Sequence, residues 1–335
     1  MTLSSVLIAL AERFSGITPL IPYYHVVSNE RLIHICHLHP YKDERQFTDD
    51  VDFLGKRYQP LSPRDLIDFA RSGKKIKKGS FIITFDDGYS QIFSVVAPIL
   101  YKKGIPAIFF LASDFIDNRN LGYRNKASII AEHLRRNPGL RTGHESALRE
   151  MLKTSRDQIT ERILAIPYGA ATMLDEIAGV LGIDFQEYLR RVQPYLTSPQ
   201  IRSLMDRGFH FGAHSLDHPL FEALPLQDQL KQTIVSLQFL KNAYGLPYSF
   251  FAFPHSDDSI HRDYFREIER IVDLSFGTSG IKKDPIATNL QRINFERSLR
   301  PASQILARQL IKKIVGGRSG HMTIDRPADR SHHSG

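Results

Sequence analysis

Two hydrophobic rhythms alternate along the chain. Short, nearly unbroken apolar runs of the kind that fill buried strands lie at residues 19–27, 81–85, 106–111, 209–213, 249–253 and 274–276. Between them apolar residues recur every three or four positions, the helical period. Phe47, Val51 and Leu54 mark an amphipathic helix over 47–58, and Ser62 as N-cap with Pro63 at the first helical position opens the next. A helical stretch over 92–101, closed by Gly104, joins the run at 81–85 to the run at 106–111. Such a strand–helix–strand unit implies a parallel sheet. A capped helix over 198–207 precedes the run at 209–213, and Leu226, Leu230, Ile234, Leu237 and Tyr244 mark a long helix closed by Gly245.

From about 118 to 194 the strand rhythm stops. Ala127, Ile130 and Leu134, then Ala147 and Met151, Ile159 and Ile163, and Met173, Ile177 and Val180 repeat at helical spacing. The pattern predicts a helical insertion whose apolar stripes pack against the parent domain. Leu3, Leu7, Leu10 and Phe14 predict an amphipathic helix over 1–20, ahead of a main α/β domain over 21–315. From Gly316 onward Gly, Ser, Arg and His dominate, so 316–335 read as a disordered tail.

Composition narrows the class. The 335 residues are 42% hydrophobic and 24% charged, as in a soluble globular protein, and no apolar run reaches the ~20 residues of a membrane span. The apolar run at 6–11 is short, has no basic residue before it and is followed by Glu12 and Arg13, which fits a surface helix rather than a secretory signal. Cys36 is the one cysteine, so no intrachain disulfide forms, and a cytoplasmic location is the default expectation. The formal net charge is +8, with four lysines between Gly73 and Gly79. That run reads as a solvated loop, with peripheral contact to an anionic membrane or phosphate groups as the alternative. No recognition motif for nucleic acid accompanies the charge.

Three strands end in candidate reactive groups: Asp86 and Asp87 before Gly88, His214 and His218 in the turn after 209–213, and Pro254 and His255 after 249–253. Adjacent carboxylates repel, and a cation, a shared proton or good solvation relieves them. In β/α barrels the active site lies at the carboxyl ends of the strands, where this spacing places all three groups. Two histidines four apart reach one cation, and a carboxylate completes a three-ligand set that leaves a position for water. The tract His34, Cys36, His37 and His39 matches no closed zinc spacing and reads as a loop packing the barrel rim.

Thr84-Phe85-Asp86-Asp87-Gly88 with His214-Ser215-Leu216-Asp217-His218 resembles the polysaccharide deacetylase, or NodB-homology, family of metal-dependent amide and ester hydrolases. Weaker similarity extends to Tyr24-His25-Val26-Val27, Phe251-Ala252-Phe253-Pro254, Phe276-Gly277-Thr278 and Arg292-Ile293. The resemblance implies a distorted (β/α) barrel of about seven parallel strands that carries the helical insertion. It further implies one divalent metal held by Asp87, His214 and His218, zinc first, with cobalt, manganese, nickel or iron as alternatives. Asp86 would be the general base and Arg292 its partner, and Tyr89 and Pro254 would bind an acetylated carbohydrate; by its position near a strand end, Tyr123-Arg124-Asn125-Lys126 at the opening of the helical insertion reads as a substrate wall. The family's usual general acid has no counterpart: the chain lacks Trp, and Ala252 and His255 stand where Arg and Tyr are common. His25 and His255 are the available substitutes. The expected reaction is loss of an N-acetyl or O-acetyl group from a sugar, polysaccharide or sugar-conjugate precursor. An amidase acting on a non-sugar cyclic amide and an inactive carbohydrate-binding relative are the alternatives.

Overall fold

A computed structural model describes residues 19–316 and 322–326. The helix expected over 1–20 therefore lies almost wholly outside the described residues, as do 317–321 and 327–335 of the expected tail. The strands are β1 (Pro22–Tyr24), β2 (Gln59–Pro60), β3 (Ser80–Phe81), β4 (Ile83–Phe85), β5 (Ala107–Leu111), β6 (His210–Ala213), β7 (Phe250–Ala252), β8 (Leu274–Gly277), β9 (Asn289–Gln291) and β10 (Ile293–Asn294). Eight of them form one sheet in the order β10-β1-β4-β5-β6-β7-β8-β9, and every pairing is parallel. The two edges, β9 and β10, are separated in sequence by Arg292 alone. One interrupted strand thus joins both edges, pairing with β8 on one side and β1 on the other. Counted that way the sheet is a nearly closed barrel of seven staves.

The apolar runs form strands because both faces of each are covered. All five residues of β5 are buried, which is why its sequence shows no alternation. The run at 81–85 serves two sheets rather than one: β3 pairs with β2 in a separate two-stranded sheet, and the chain passes through Ile82 into β4.

Around the barrel lie α1 (Glu44–Arg57), α2 (Pro63–Ser72) and α3 (Ala97–Lys102), the last preceded by a wide π-type turn over Ile92–Val96. Asp43 caps α1 by accepting from the Gln46 amide at 2.7 Å, while Gln46 accepts from the Asp43 amide at 3.2 Å, a reciprocal capping box. Phe47, Val51 and Leu54 are buried as the spacing predicts.

Between β5 and β6 the chain is helical: α4 (Tyr123–Arg136), α5 (Pro138–Gly143), α6 (Glu145–Leu152), α7 (Ile159–Leu164), α8 (Thr172–Val180) and α9 (Phe185–Val192). These helices gather a second apolar cluster around Ile130, Leu134, Leu148, Ile159, Ile163, Leu174 and Ile177. Two stripes sit one residue off the expected register, since Leu148 and Leu174 are buried where Ala147, Met151, Met173 and Val180 are half-buried. The cluster reaches the barrel rim through Val26, Ile35, Tyr89 and Phe115. The chain then continues through α10 (Ser198–Asp206), α11 (Leu226–Tyr244), α12 (Arg262–Ile268) and α13 (Ala302–Gly316). No described helix is long and apolar enough to cross a membrane.

Within the expected tail, residues 322–326 are described and pack against the barrel. Thr323 bridges to Lys283, and the Arg326 guanidinium is buried, donating to the Asp257 carbonyl at 2.7 Å, to Asp257 Oδ2 at 2.7 Å and to Asp284 Oδ1 at 2.9 Å. Two buried carboxylates supply the ordering that a polar composition cannot by itself reveal.

Candidate active site and metal centre

The cavity at the carboxyl ends of the strands measures about 530 Å³. Asp86, Asp87, His214, His218, His25, His255, Tyr89, Tyr123 and Arg124 all line it, so groups more than two hundred residues apart in sequence converge there. Pro254 does not line it; Phe253, His255 and Ser256 do so from the same loop. Arg292 lies beneath, wholly buried.

The turn after β4 separates the two neighbouring carboxylates. Asp87 adopts a left-handed backbone with φ 69°, a region that Asp tolerates better than most residues, and Gly88 follows at φ 76°. A Cβ on Gly88 would meet Leu111 Cδ2 at 2.8 Å, so this position needs glycine twice over, for its φ and for its space. The turn sends Asp86 one way and Asp87 another.

Asp86 receives the Arg292 guanidinium end-on, Nη1 to Oδ1 at 2.6 Å and Nη2 to Oδ2 at 2.8 Å, with both residues at most 2% exposed. Burial alone would raise the Asp86 carboxyl; the Arg292 charge, followed by His214, outweighs it and holds the group below the ordinary carboxylate range. Arg292 is itself fixed by Gly277 O at 3.1 Å and Thr84 Oγ1 at 3.3 Å, and it stacks over the Tyr23 and Phe110 rings. At the break between β9 and β10 its backbone stays bonded, the amide donating to the Gly277 carbonyl at 3.2 Å and the carbonyl accepting from the Gly280 amide at 3.0 Å.

Asp87 faces two imidazoles instead. Its Oδ1 lies 3.4 Å from His214 Nε2 and 3.3 Å from His218 Nε2, and all three ligand atoms fall within 4.8 Å of one another. His214 Nδ1 is 2.9 Å from the Ala252 carbonyl, which only accepts, so that nitrogen is a donor and Nε2 is turned toward Asp87. Asp87 Oδ1 and His214 Nε2 are both buried with no hydrogen-bond partner among the described residues. Buried polar atoms left without a partner cost about 1–3 kcal/mol each, and a cation between them would remove that cost. Burial pushes His218 down to about 4, so its ring is neutral at pH 7, the form that ligates metals. Burial opposes ionisation of Asp87, yet the facing histidines hold it well below the ordinary range. One carboxylate and two imidazoles fit a divalent first-row ion with positions left open.

The opposite wall carries a different arrangement. His25 Nδ1 is hydrogen-bonded to Glu296, whose other oxygen accepts the His25 backbone amide at 2.9 Å. Burial by itself would lower His25, but Glu296 overrides it and lifts the ring to about 9, leaving Nε2 as the free nitrogen. His39 lies beside it with ring centres 4.7 Å apart and the rings tilted by 38°. His25, His39 and Glu296 also bring ligand atoms within 4.8 Å, as do Cys36, His37 and Glu132. In the latter group Glu132 is already engaged by Arg31, Arg135 and Arg136, whose charges oppose a cation there.

His255 differs from His25 in kind. It has no carboxylate partner among the described residues, its Nε2 is buried without a hydrogen bond, and burial pushes it down to about 2. Its left-handed φ of 58° is held by Thr278, whose hydroxyl donates to the His255 carbonyl at 2.9 Å and whose amide donates to Asp257 at 2.9 Å. The buried Arg326 completes that chain through Asp257.

Sequence reasoning missed Glu296 and gave His39 no part in the site, yet both line the cavity. Glu296 obeys the same strand-end rule that found the others, but β10 is two residues long and its neighbours are polar, so the strand itself is not visible in the pattern.

Residues 73–271, more than half of the chain, match the model of the polysaccharide deacetylase family. No curated protein matches the chain. Among solved structures, the Streptococcus pyogenes deacetylase PplD in complex with acetate is similar at a TM-score of 0.54 and 14% identity, over 86% of this chain and 96% of that one. IcaB from Ammonifex degensii is similar at 0.53 and 16% identity, over 87% and 96%. At these identities the likeness establishes the fold, and the family match carries the chemistry: this chain belongs to the polysaccharide deacetylase family of hydrolytic deacetylases that act on carbohydrate.

Proposed function

We propose that the chain is a metal-dependent deacetylase that releases acetate from an N-acetylated sugar unit, with Asp86 as general base and His25 as general acid. The observation that carries the reading is the pair of orphaned buried atoms, Asp87 Oδ1 and His214 Nε2, turned toward one another beside His218. A divalent ion held by Asp87, His214 and His218 would polarise the acetyl carbonyl and acidify a bound water.

The chain's own residues perform the proton transfers. Asp86, held ionised by Arg292, accepts the proton of the attacking water as the new C–O bond forms. Arg292 also keeps Asp86 from turning toward the cation, which reserves Asp87 for ligation. When the C–N bond breaks, the departing nitrogen takes a proton from His25 Nε2, and acetate and a free amine result. The Glu296 carboxylate orients His25 through Nδ1 and favours its protonated form, which is what a general acid at neutral pH requires. His255 lacks such support, and its unpartnered Nε2 suits acceptance of a substrate hydroxyl instead. Tyr89, Tyr123 and Arg124 supply the walls that hold the sugar. The same donor set would also hydrolyse an acetyl ester, where the leaving alkoxide needs less help from His25.

The test is acetate release from a panel of N-acetylated and O-acetylated sugars by the metal-loaded protein. Release suppressed by chelator and restored by one equivalent of zinc, cobalt or manganese is the expected result. Turnover that survives complete metal removal would refute it.

A further inference from the structure

Past α13 the chain returns to the barrel. Met322 and Ile324 pair with Lys283 through backbone hydrogen bonds of 2.8 and 2.9 Å, which lays Arg326 against the loops that follow β7 and β8. Its guanidinium is buried over the Phe265 ring, 4.3 Å from the ring centre. It donates to the Asp257 and Ile260 carbonyls at 2.7 and 3.4 Å, to Asp257 Oδ2 at 2.7 Å and to both Asp284 oxygens. Asp257 and Asp284 are like charges brought together, since Asn289 and Gln291 each donate to Oδ2 of both at 2.8–2.9 Å. Arg326 supplies the cation between them. Burial alone would raise the Asp257 carboxyl; Gln291, the Thr278 amide and Arg326 outweigh it and hold the group below its ordinary range.

From Asp257 the contacts lead to the catalytic cavity. Its Oδ1 accepts the Thr278 amide at 2.9 Å, the Thr278 hydroxyl donates to the His255 carbonyl at 2.9 Å, and both Thr278 and His255 line the cavity. Gly277 admits this carboxylate to the strand end, because a Cβ there would overlap both Asp257 oxygens and the Gln291 amide nitrogen. The short motif Phe276-Gly277-Thr278, which takes no part in the proton transfers, thus acquires a purpose: glycine makes room for Asp257, and threonine passes its position on to His255. At φ 58° His255 has a left-handed backbone that is disfavoured for a residue with a Cβ, so it keeps that shape only while its neighbours hold it. Its ring meets the His218 ring edge-on with centres 4.7 Å apart, so movement of this loop changes the cavity wall.

We propose that Arg326 is a positioning residue of the active site: through Asp257 and Thr278 it holds His255 in the cavity wall. The functional domain then includes 322–326, well past residue 271 where the family match stops. The inference uses the role given to His255 above, acceptance of a substrate hydroxyl, and so rests on that reading. Lysine is no substitute here, because one ammonium cannot span the carboxylates and carbonyls that a planar fork reaches together.

Arg326→Ala and Arg326→Lys in the metal-loaded full chain provide the test. Amide hydrogen exchange in the loops 254–260 and 276–282 should quicken at least ~10-fold while β5 keeps its rate. Metal content should stay at the wild-type level, and KM for acetate release from an N-acetylglucosamine tetramer should rise ~10-fold with kcat within about threefold. In a His255→Gln background the same Arg326 substitution should move KM by less than about twofold, since it acts through that side chain. Arg326→Lys keeps a positive charge between the carboxylates, and it decides the matter should Arg326→Ala fail to fold. Unchanged exchange in the two loops, exchange that quickens equally in β5, or KM effects that add in full to those of His255→Gln would overturn the proposal. Loop exchange that quickens while no form of the protein, wild type included, releases acetate would leave the link from Arg326 to His255 standing and overturn the deacetylase reading.

Discussion

The two walls of the catalytic cavity solve the problem of buried charge in opposite ways. On the Asp87 wall a carboxylate oxygen and an imidazole nitrogen face each other with nothing donated between them. On the His25 wall both Glu296 carboxylate oxygens are engaged by His25, one by the ring Nδ1 and the other by the backbone amide. Both walls contain histidine and carboxylate within ligand distance of one another, so composition does not separate them. The hydrogen-bond accounting does: under the proposed function the Asp87 wall takes a cation and the His25 wall a proton.

That contrast can be broken in stages. Asp87→Ala removes the ligand that carries charge, and the account expects loss of bound metal together with all measurable acetate release. Asp86→Asn should retain metal, checked by elemental analysis, while kcat falls by about 10²–10⁴-fold, the usual weight of a positioned proton-transfer group. Full activity in Asp86→Asn would remove it from the mechanism. His25→Gln should lower kcat by a similar factor on amide substrates and by less on an acetyl ester, whereas His255→Gln should act mainly on KM; the reverse ranking would exchange the two histidines.

Glu296→Gln gives a smaller but more specific effect. His25 is raised to about 9 by Glu296, so the protonated acid persists below that pH and is lost as pH rises through it. Without the Glu296 charge the alkaline limb of the kcat profile should move toward the ordinary histidine value near 6.5. An unmoved limb would show that another group sets it. The pairing contributes stability in the same sense: it is fully present below about 6.5 and declines as pH passes about 9.

Arg292→Ala probes the support beneath the site. It leaves Asp86 buried without its cation, and breaking a buried pair by removing one partner costs about 3–5 kcal/mol, readable as a drop in denaturation midpoint. A loss under 1 kcal/mol would mean that water reaches Asp86 once the guanidinium is gone.

Much of this site is legible in the sequence because its residues terminate strands that announce themselves. Phe81 to Phe85 and 209–213 are long and apolar enough to be seen, and the polar groups that follow them stand out by contrast. The matched family segment, 73–271, contains Asp86, Asp87, His214 and His218 but stops short of Arg292 and Glu296, and it begins after His25. The parts that stayed hidden depend on short elements. β9 and β10 total five residues broken by Arg292, and their Asn and Gln side chains serve buried carboxylates rather than solvent, as when Asn289 and Gln291 both donate to Asp257 at 2.8 Å. Period-based reading takes such residues as surface. Arg326 was hidden for a related reason, since its partners Asp257 and Asp284 lie in loops and no pattern links them. The split at Ile82 follows from tertiary pairing, which an unbroken apolar run cannot display.

The separation of roles between the two walls is tested most directly by the stoichiometry of divalent metal in the purified, reconstituted chain and two variants. The account predicts about one first-row ion per chain in the wild type, background levels in Asp87→Ala, and an undiminished one in Glu296→Gln. Metal retained by Asp87→Ala, or lost from Glu296→Gln, would place the cation on the other wall and contradict it.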